Sequence, residues 1–265
     1  MTKPHSPDAI WSLPTKHLGQ TSHVFESLHS TNSLALELAD DPSCHGLAIL
    51  ARQQTAGRGQ YGRTWQAPPD SSVLLSLLLF APPQLRRPVL LTSWAAVAVC
   101  ETILATVNLQ AKIKWPNDVL IHGKKVCGIL IEQRTTGHAD FPLATVVGIG
   151  LNVSQTAGMF ADAGLPDAVS LSIAAGRALA FNDIAEQLIH QLDRYYATLL
   201  DGDRQTLESL WKWRLGLLGK YVTVEGTQHA HRGRLVDATL DGIDLDVAGT
   251  LVRLAPETIR HIHEA

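Results

Sequence analysis

Ala56-Gly57-Arg58-Gly59-Gln60-Tyr61-Gly62-Arg63-Thr64-Trp65 is a loop suited to meeting an anion. Its three glycines let backbone N–H groups come close to a ligand, and its two arginines supply paired planar donors for phosphate or carboxylate. A solvated surface loop with turn glycines would carry the same residues, so the segment gains meaning only from its surroundings. It is not a Walker A loop, which ends in Gly-Lys-Ser/Thr, nor a dinucleotide fingerprint, which needs a third glycine at a different spacing. Apolar runs lie on either side, Gly46 to Ala51 and Ser71 to Phe80. The local reading is strand, polar loop from Gln53 to Asp70, strand.

Upstream, Ser30-Thr31-Asn32 offers side chains that cap the free N–H groups of a helix running to about Ala39. Residues 1 to 22 are polar, hold prolines 4, 7 and 14, and show no period, so they read as an extended lead-in. Downstream, Pro88 opens a helix to about Asn108. Its apolar stretch Val89 to Leu109 holds Glu101, which favours a buried helix over a membrane span. Lys112 to Trp115 reads as a strand stopped by Pro116, and Val119 to Ile121 and Val126 to Glu132 as a hairpin about His122-Gly123-Lys124-Lys125. Thr145 to Val153 adds a strand. Helices follow, one capped by Asn182 and one over about Arg204 to Leu217. Strands and helices mix without regular alternation, so the fold class is α+β with a mixed central sheet and flanking helices.

After Gly219 the pattern changes to short alternating segments, Tyr221 to Val224, Arg232 to Val236, Ile243 to Val247 and Leu251 to Leu254. They predict a small β-barrel that must pack on the main domain, because so small a unit buries little surface by itself. The expected organisation is 1–22 lead-in, 23–218 main domain and 219–265 small β domain.

Three further segments carry candidate chemistry. Lys114-Trp115-Pro116-Asn117-Asp118 ends a strand in a proline-fixed turn whose carboxylate and amide could orient a magnesium-bound phosphate; an ordinary turn looks the same. Lys125, ahead of Val126-Cys127-Gly128-Ile129-Leu130, is either a cation for a reacting carboxylate or phosphate or an exposed hairpin lysine. Val147-Gly148-Ile149-Gly150-Leu151-Asn152-Val153 puts glycines inside an apolar strand, where a ligand or another chain segment passes close by. Together these segments favour a ligand site.

Composition removes other classes. At 45% hydrophobic and 18% charged residues the chain folds rather than remaining disordered. A net charge of -3 without like-charge blocks argues against DNA or RNA as a partner. Three well-separated cysteines, Cys44, Cys100 and Cys127, fit a reducing cytoplasm. The pairs His229 with His231 and His261 with His263 alternate as on a strand face and lack a metal-ligand pattern. No secretory leader is visible.

In this order and spacing, these segments resemble the catalytic domain of biotin-protein ligases, which share a superfamily with lipoate-protein ligases. The likeness runs from about Val24 to Val153 and is weaker beyond. It implies a class II synthetase-like biotin/lipoate ligase fold with an SH3-like C-terminal barrel over Gly233 to Ile262. It also implies an enzyme that makes biotinyl-AMP from biotin and ATP with Mg2+, then biotinylates a carrier-protein lysine such as that of acetyl-CoA carboxylase.

By the same resemblance, Ser30, Thr31, Asn32, Gln54, Arg58, Gly59, Gln60, Lys125, Gly128 and Ile129 would serve biotin. Arg58, Arg63, Trp65, Lys114, Asn117, Asp118 and Asn152 would serve ATP, with Asp118 and Asn152 toward the metal through the phosphates. Arg58 and Lys125 would be catalytic. Gln60 stands where the family commonly has arginine, which removes one positive contact. The segment ahead of Ser30 is short for a helix-turn-helix domain, so the resemblance implies a ligase-only form without DNA or membrane partners, and it leaves room for a homodimer.

Overall fold

The computed structural model describes residues 6–227 and 229–265, and residues 1–5 of the expected lead-in lie outside the described residues. The chain runs β1 (Ala9–Ser12), β2 (Thr21–Leu28), α1 (Thr31–Glu37), β3 (Ala48–Gln54), β4 (Ser72–Leu79), α2 (Pro88–Val107), β5 (Lys112–Lys114) and β6 (Asp118–Ile121). It continues through β7 (Lys124–Thr135), β8 (Leu143–Asn152), α3 (Ala157–Asp162), α4 (Leu171–Ala175), α5 (Phe181–Leu200) and α6 (Arg204–Leu215). It closes with β9 (Tyr221–Gly226), β10 (Ala230–Thr239), β11 (Gly242–Val247), β12 (Thr250–Leu254) and β13 (Ile259–Glu264).

The first eight strands form one sheet in the order β1-β2-β3-β4-β8-β7-β6-β5. Among the described strands β2 and β3 are the one parallel pair, and α1 lies on the crossover between them. This brings the start of α1, hence Ser30 to Asn32, over the central strands β4 and β8 on one sheet face.

Strand parity then decides what each face does. Every residue of β4 is buried, because the strand is covered on both sides. Val73, Leu75, Leu77 and Leu79 join the core under α2 and α5, with Val147, Ile149 and Leu151 of β8 and Cys127, Ile129 and Ile131 of β7 beside them. The alternate positions, Ser72 and Ser76 of β4, Gly128 and Glu132 of β7, and Gly148, Gly150 and Asn152 of β8, turn to the opposite face. There α1 packs with Phe25, Leu78 and Val146 in a smaller core. Helix α2 buries twelve residues around its circumference, so the apolar stretch with Glu101 is a core helix.

The last five strands make an antiparallel sheet ordered β12-β11-β10-β9-β13, the SH3-like unit. Val222, Val224, Leu235, Leu245 and Ile262 belong to the same apolar cluster as Trp115 and Trp211 of the larger sheet's side. Trp115 Nε1 donates to the Ile259 carbonyl at 3.2 Å, and Arg87 NH2 to the Leu240 carbonyl at 2.9 Å, so the two sheets share a core and polar ties.

Several local expectations change. The segment read as a lead-in contains β1, paired antiparallel to β2, and β2 itself went unread because polar Ser22, His23, Glu26 and Ser27 break its apolar pattern. Asn182 does not cap α5; Ala180 holds that position without a side-chain bond, and Asn182 lies in the first turn. The hairpin turn is two residues, His122 and Gly123, with φ of 49° and 79°, as a twisted two-residue turn requires. Two short helices, α3 and α4, which the sequence reading does not name, lie between β8 and α5; Thr156 and Ser170 cap them.

The N-terminal segment is fastened by one carboxylate. Asp193 of α5 accepts the backbone N–H groups of Lys16, His17 and Leu18 at 2.8, 2.7 and 2.8 Å. Removing it leaves buried donors unpaired, so Asp193→Ala costs about 2–4 kcal/mol in urea unfolding. A loss under about 0.5 kcal/mol, the size of an ordinary surface change, would contradict this account.

Nearby, His45 Nδ1 accepts the Phe80 N–H at 3.0 Å, and the ring sits 6.2 Å from that of Tyr196. Burial, with His17 adding to it, lowers the His45 pKa from 6.5. In the unfolded chain His45 takes up a proton below that ordinary value while the folded chain stays neutral. Its contribution to stability is therefore complete above pH 6.5 and declines as pH falls toward the lowered folded value. His45→Gln flattens this acid limb of urea midpoint against pH; an unchanged limb would sink the assignment.

Candidate active site

A cavity of about 660 Å³ opens on the face that carries α1 and the even-numbered positions of β8. It is bordered by every residue named from the sequence: Ser30, Thr31, Asn32, Gln54, Arg58, Gly59, Gln60, Arg63, Trp65, Lys114, Asn117, Asp118, Lys125, Gly128, Ile129 and Asn152. Segments far apart in the chain thus converge on one space.

One end is a fixed polar floor. Ser30 caps α1 by accepting the Ser33 N–H. Gln54 Oε1 accepts from the Thr31 backbone at 2.7 Å and from its hydroxyl at 3.1 Å. Ser76 Oγ lies 2.7 Å from Thr31 Oγ1 and 2.5 Å from Asn32 Oδ1. Gly148 is small for a reason visible here: a Cβ on it would sit 2.2 Å from Asn32 Oδ1.

The middle wall is a pair of glycines facing an indole. Gly128 of β7 and Gly150 of β8 are directly paired, and Trp65 rests on them. Added Cβ atoms would lie 2.9 Å and 2.4 Å from its ring. The glycines in these strands do admit a close neighbour, but the neighbour is the protein's own loop. Trp65 Nε1 is buried without a partner, which leaves a free donor in the cavity wall. Ile129 borders the cavity, yet strand alternation places its side chain in the core on the other face.

The loop from Gly57 to Trp65 folds back on itself like a small hairpin. Gly59 N–H donates to the Arg63 carbonyl at 2.7 Å and Trp65 N–H to that of Gly57 at 2.9 Å. At its tip Tyr61 has φ 58°, a conformation that L-residues rarely adopt, followed by Gly62 at 74°.

The other end holds Lys125 and Lys114, whereas the Arg58 guanidinium lies toward the floor, paired with Glu132. Lys125 Nζ lies 2.6 Å from Asp118 Oδ1 and 5.8 Å from the Trp65 ring centroid, so it points into the cavity and is not a hairpin ornament. Asn117 is tied at both ends: its Nδ2 donates to the Ile129 carbonyl at 2.7 Å, and its own carbonyl accepts Ile129 N–H at 2.9 Å. Asn152 Nδ2 donates to the Val169 carbonyl at 3.2 Å, while its Oδ1 accepts from Gln155 Nε2 at 2.9 Å. Both asparagine side chains are therefore braced by protein partners.

Several lining or supporting residues escaped the sequence reading. Ser76 braces the floor, Ser72 and Gln155 brace Asn152, and Glu225, His261 and His263 reach the cavity from the C-terminal sheet. Glu132 binds both Asn32 and Arg58. Its parity with Gly128 on an alternating strand was the available signal. Among the described residues, no group of three or more His, Cys, Asp and Glu side chains could hold a metal ion.

The mixed sheet with one face given to a polar, cation-bearing cavity makes this a small-molecule-binding α+β domain rather than a doubly wound nucleotide fold. Residues 24–152 match the model of the Biotin/lipoate A/B protein ligase family. The bifunctional ligase/repressor BirA of Bacillus subtilis is 33% identical over 257 residues, covering 96% of this chain and 76% of that protein. The biotin–[acetyl-CoA-carboxylase] ligase of Paracoccus denitrificans is 31% identical, covering 86% of this chain and 91% of that one. The fold is also that of the Aquifex aeolicus biotin protein ligase solved in complex with biotin and ATP, at TM-score 0.76 and 21% identity over 92% of this chain and 99% of that one. The chain belongs to the biotin/lipoate A/B protein ligase family.

Proposed function

We infer that the chain is a biotin–[acetyl-CoA-carboxylase] ligase that forms biotinyl-AMP and then acylates a lysine of a biotin carrier protein. The observation that carries this reading is the convergence of the Ser30–Asn32 floor, the Arg58 loop and the Lys125–Asp118 pair on one cavity.

A carboxylate oxygen of biotin attacks the α-phosphate of ATP, a new P–O bond forms, and the bond to the bridging oxygen breaks to release pyrophosphate. The carrier lysine, as a neutral amine, then attacks the acyl carbon; AMP leaves with the electron pair. No protein nucleophile is needed. Thr31, Asn32 and Gln54 hold the biotin ring as a fixed donor and acceptor set, and Ser30 keeps that turn in place. Arg58 and Lys125 offset charge building at the phosphate, and the loop with Trp65 keeps water from the mixed anhydride. Lys114, Arg63, Asn117 and Asn152 frame the nucleotide end, the last two as braced scaffold.

Magnesium supplies charge neutralisation when bound with the nucleotide. The carboxylate of Asp118 fits such an ion, because Mg2+ on nucleotides commonly takes one or two protein carboxylates and keeps phosphates and waters as its other ligands. Asn152 fits less directly, since its oxygen is already an acceptor within the protein.

We propose further that residues 23–218 carry the chemistry, that 1–22 are a lead-in whose described part, 6–22, packs on it, and that 219–265 close its cavity. The enzyme works in the cytoplasm without DNA or a membrane. The net charge of -3 supports this, as does the buried state of α2, the one helix among the described residues long and apolar enough to cross a membrane. ATP supplied with biotin releases pyrophosphate, whereas ATP supplied with lipoate does not; release with lipoate alone would overturn the biotin assignment.

A further inference from the structure

Glu132 does not border the cavity, yet one of its oxygens joins two of the cavity's walls. Oε2 accepts from Asn32 Nδ2 at 2.7 Å and from Arg58 NH2 at 2.8 Å. Asn32 is enclosed: Ser76 Oγ holds its oxygen and the backbone of Gly148 lies against it. Arg58 is more open. Its side chain is 40% exposed, and its loop is rooted through Thr55 and Ala56 N–H groups on the Leu28 and His29 carbonyls. Among the described residues, the bond to Glu132 is the one ion pair made by the loop's arginines. Strand β7 carries Lys125 at one end and Glu132 further along, so both cations of the reaction are referred to the same rigid strand.

We propose that Glu132 is a positioning residue for adenylate formation, aligning the Arg58 guanidinium against the asparagine of the biotin floor. The proposal rests on the ligase reading above. A guanidinium free to rotate must be ordered as the phosphate charge develops, whereas one already held loses less side-chain freedom. The shared oxygen also couples the floor to the loop, so seating of biotin against Asn32 reports to Arg58 through a single atom.

The test is biotin-dependent pyrophosphate release by wild type, Glu132→Gln, Arg58→Ala and the double variant, with thermal unfolding followed in parallel. Glutamine keeps the shape and an acceptor for Asn32 but gives up the charge that holds Arg58. The expected result is a fall in kcat of about tenfold for Glu132→Gln, with KM for biotin within about twofold. In the Arg58→Ala background the same change costs less than about twofold, since the residue it positions is gone. A wild-type kcat for Glu132→Gln overturns the proposal, as does an equal loss in both backgrounds, which would mark a merely structural residue. Wild-type protein that releases no pyrophosphate with biotin refutes the ligase reading itself, and the proposal with it.

Discussion

Lys125→Ala lowers biotin-dependent pyrophosphate release about a thousandfold, the size of effect seen when a preorganised group facing developing charge is removed. The amine sits 2.6 Å from Asp118 and above the Trp65 ring, where a carboxylate and a triphosphate must be brought together. Without it the cavity loses a cation and keeps an uncompensated aspartate, which repels both substrates. The fold survives, because the Lys125 side chain is 37% exposed and such pairs contribute only about 0–1 kcal/mol to stability. Unchanged pyrophosphate release by a folded variant would remove Lys125 from the mechanism.

Gly150→Val abolishes tight binding of both substrates, raising their KM values at least about tenfold, as overpacking of an ordered site does. Even the first added carbon lies 2.4 Å from Trp65 Cε2, with two more ring atoms at 2.8 Å. The indole must therefore leave its seat and take the Arg58 loop with it. Gly137→Ala is the matched control, since nothing lies within 4 Å of its added carbon and its backbone is ordinary. Wild-type KM values for Gly150→Val would mean that Trp65 does not need the glycine pair.

Much of this site is legible in the sequence because each piece carries a local signature. Ser30 caps a helix, β4 is apolar apart from Ser72 and Ser76, and glycines in β7 and β8 announce a close neighbour. What those signatures do not contain is parity and partnership. Ile129 and Gly128 are adjacent in sequence, but alternation sends one to the core and one to the cavity. Which neighbour the glycines admit depends on a tryptophan about eighty-five residues away from Gly150, a long-range closure that no local pattern encodes.

The misread stretches share a physical cause. β2 is more than half polar because Thr21, Glu26 and Ser27 are exposed and buried Ser22 is satisfied internally, donating to the Gly19 carbonyl at 3.1 Å. β1 is a short edge strand with little pattern to show. Asp193 and Glu132 look like surface acids until tertiary structure brings backbone N–H groups to one, and an asparagine and an arginine to the other.

The most direct test of the ligase assignment is the intact mass of a biotin carrier domain after incubation with the protein, ATP and biotin. The account predicts one biotinyl group on a single lysine, none when that lysine is replaced by arginine, and none when lipoate is substituted for biotin. An unmodified carrier, or a carrier modified equally well with lipoate, would contradict it.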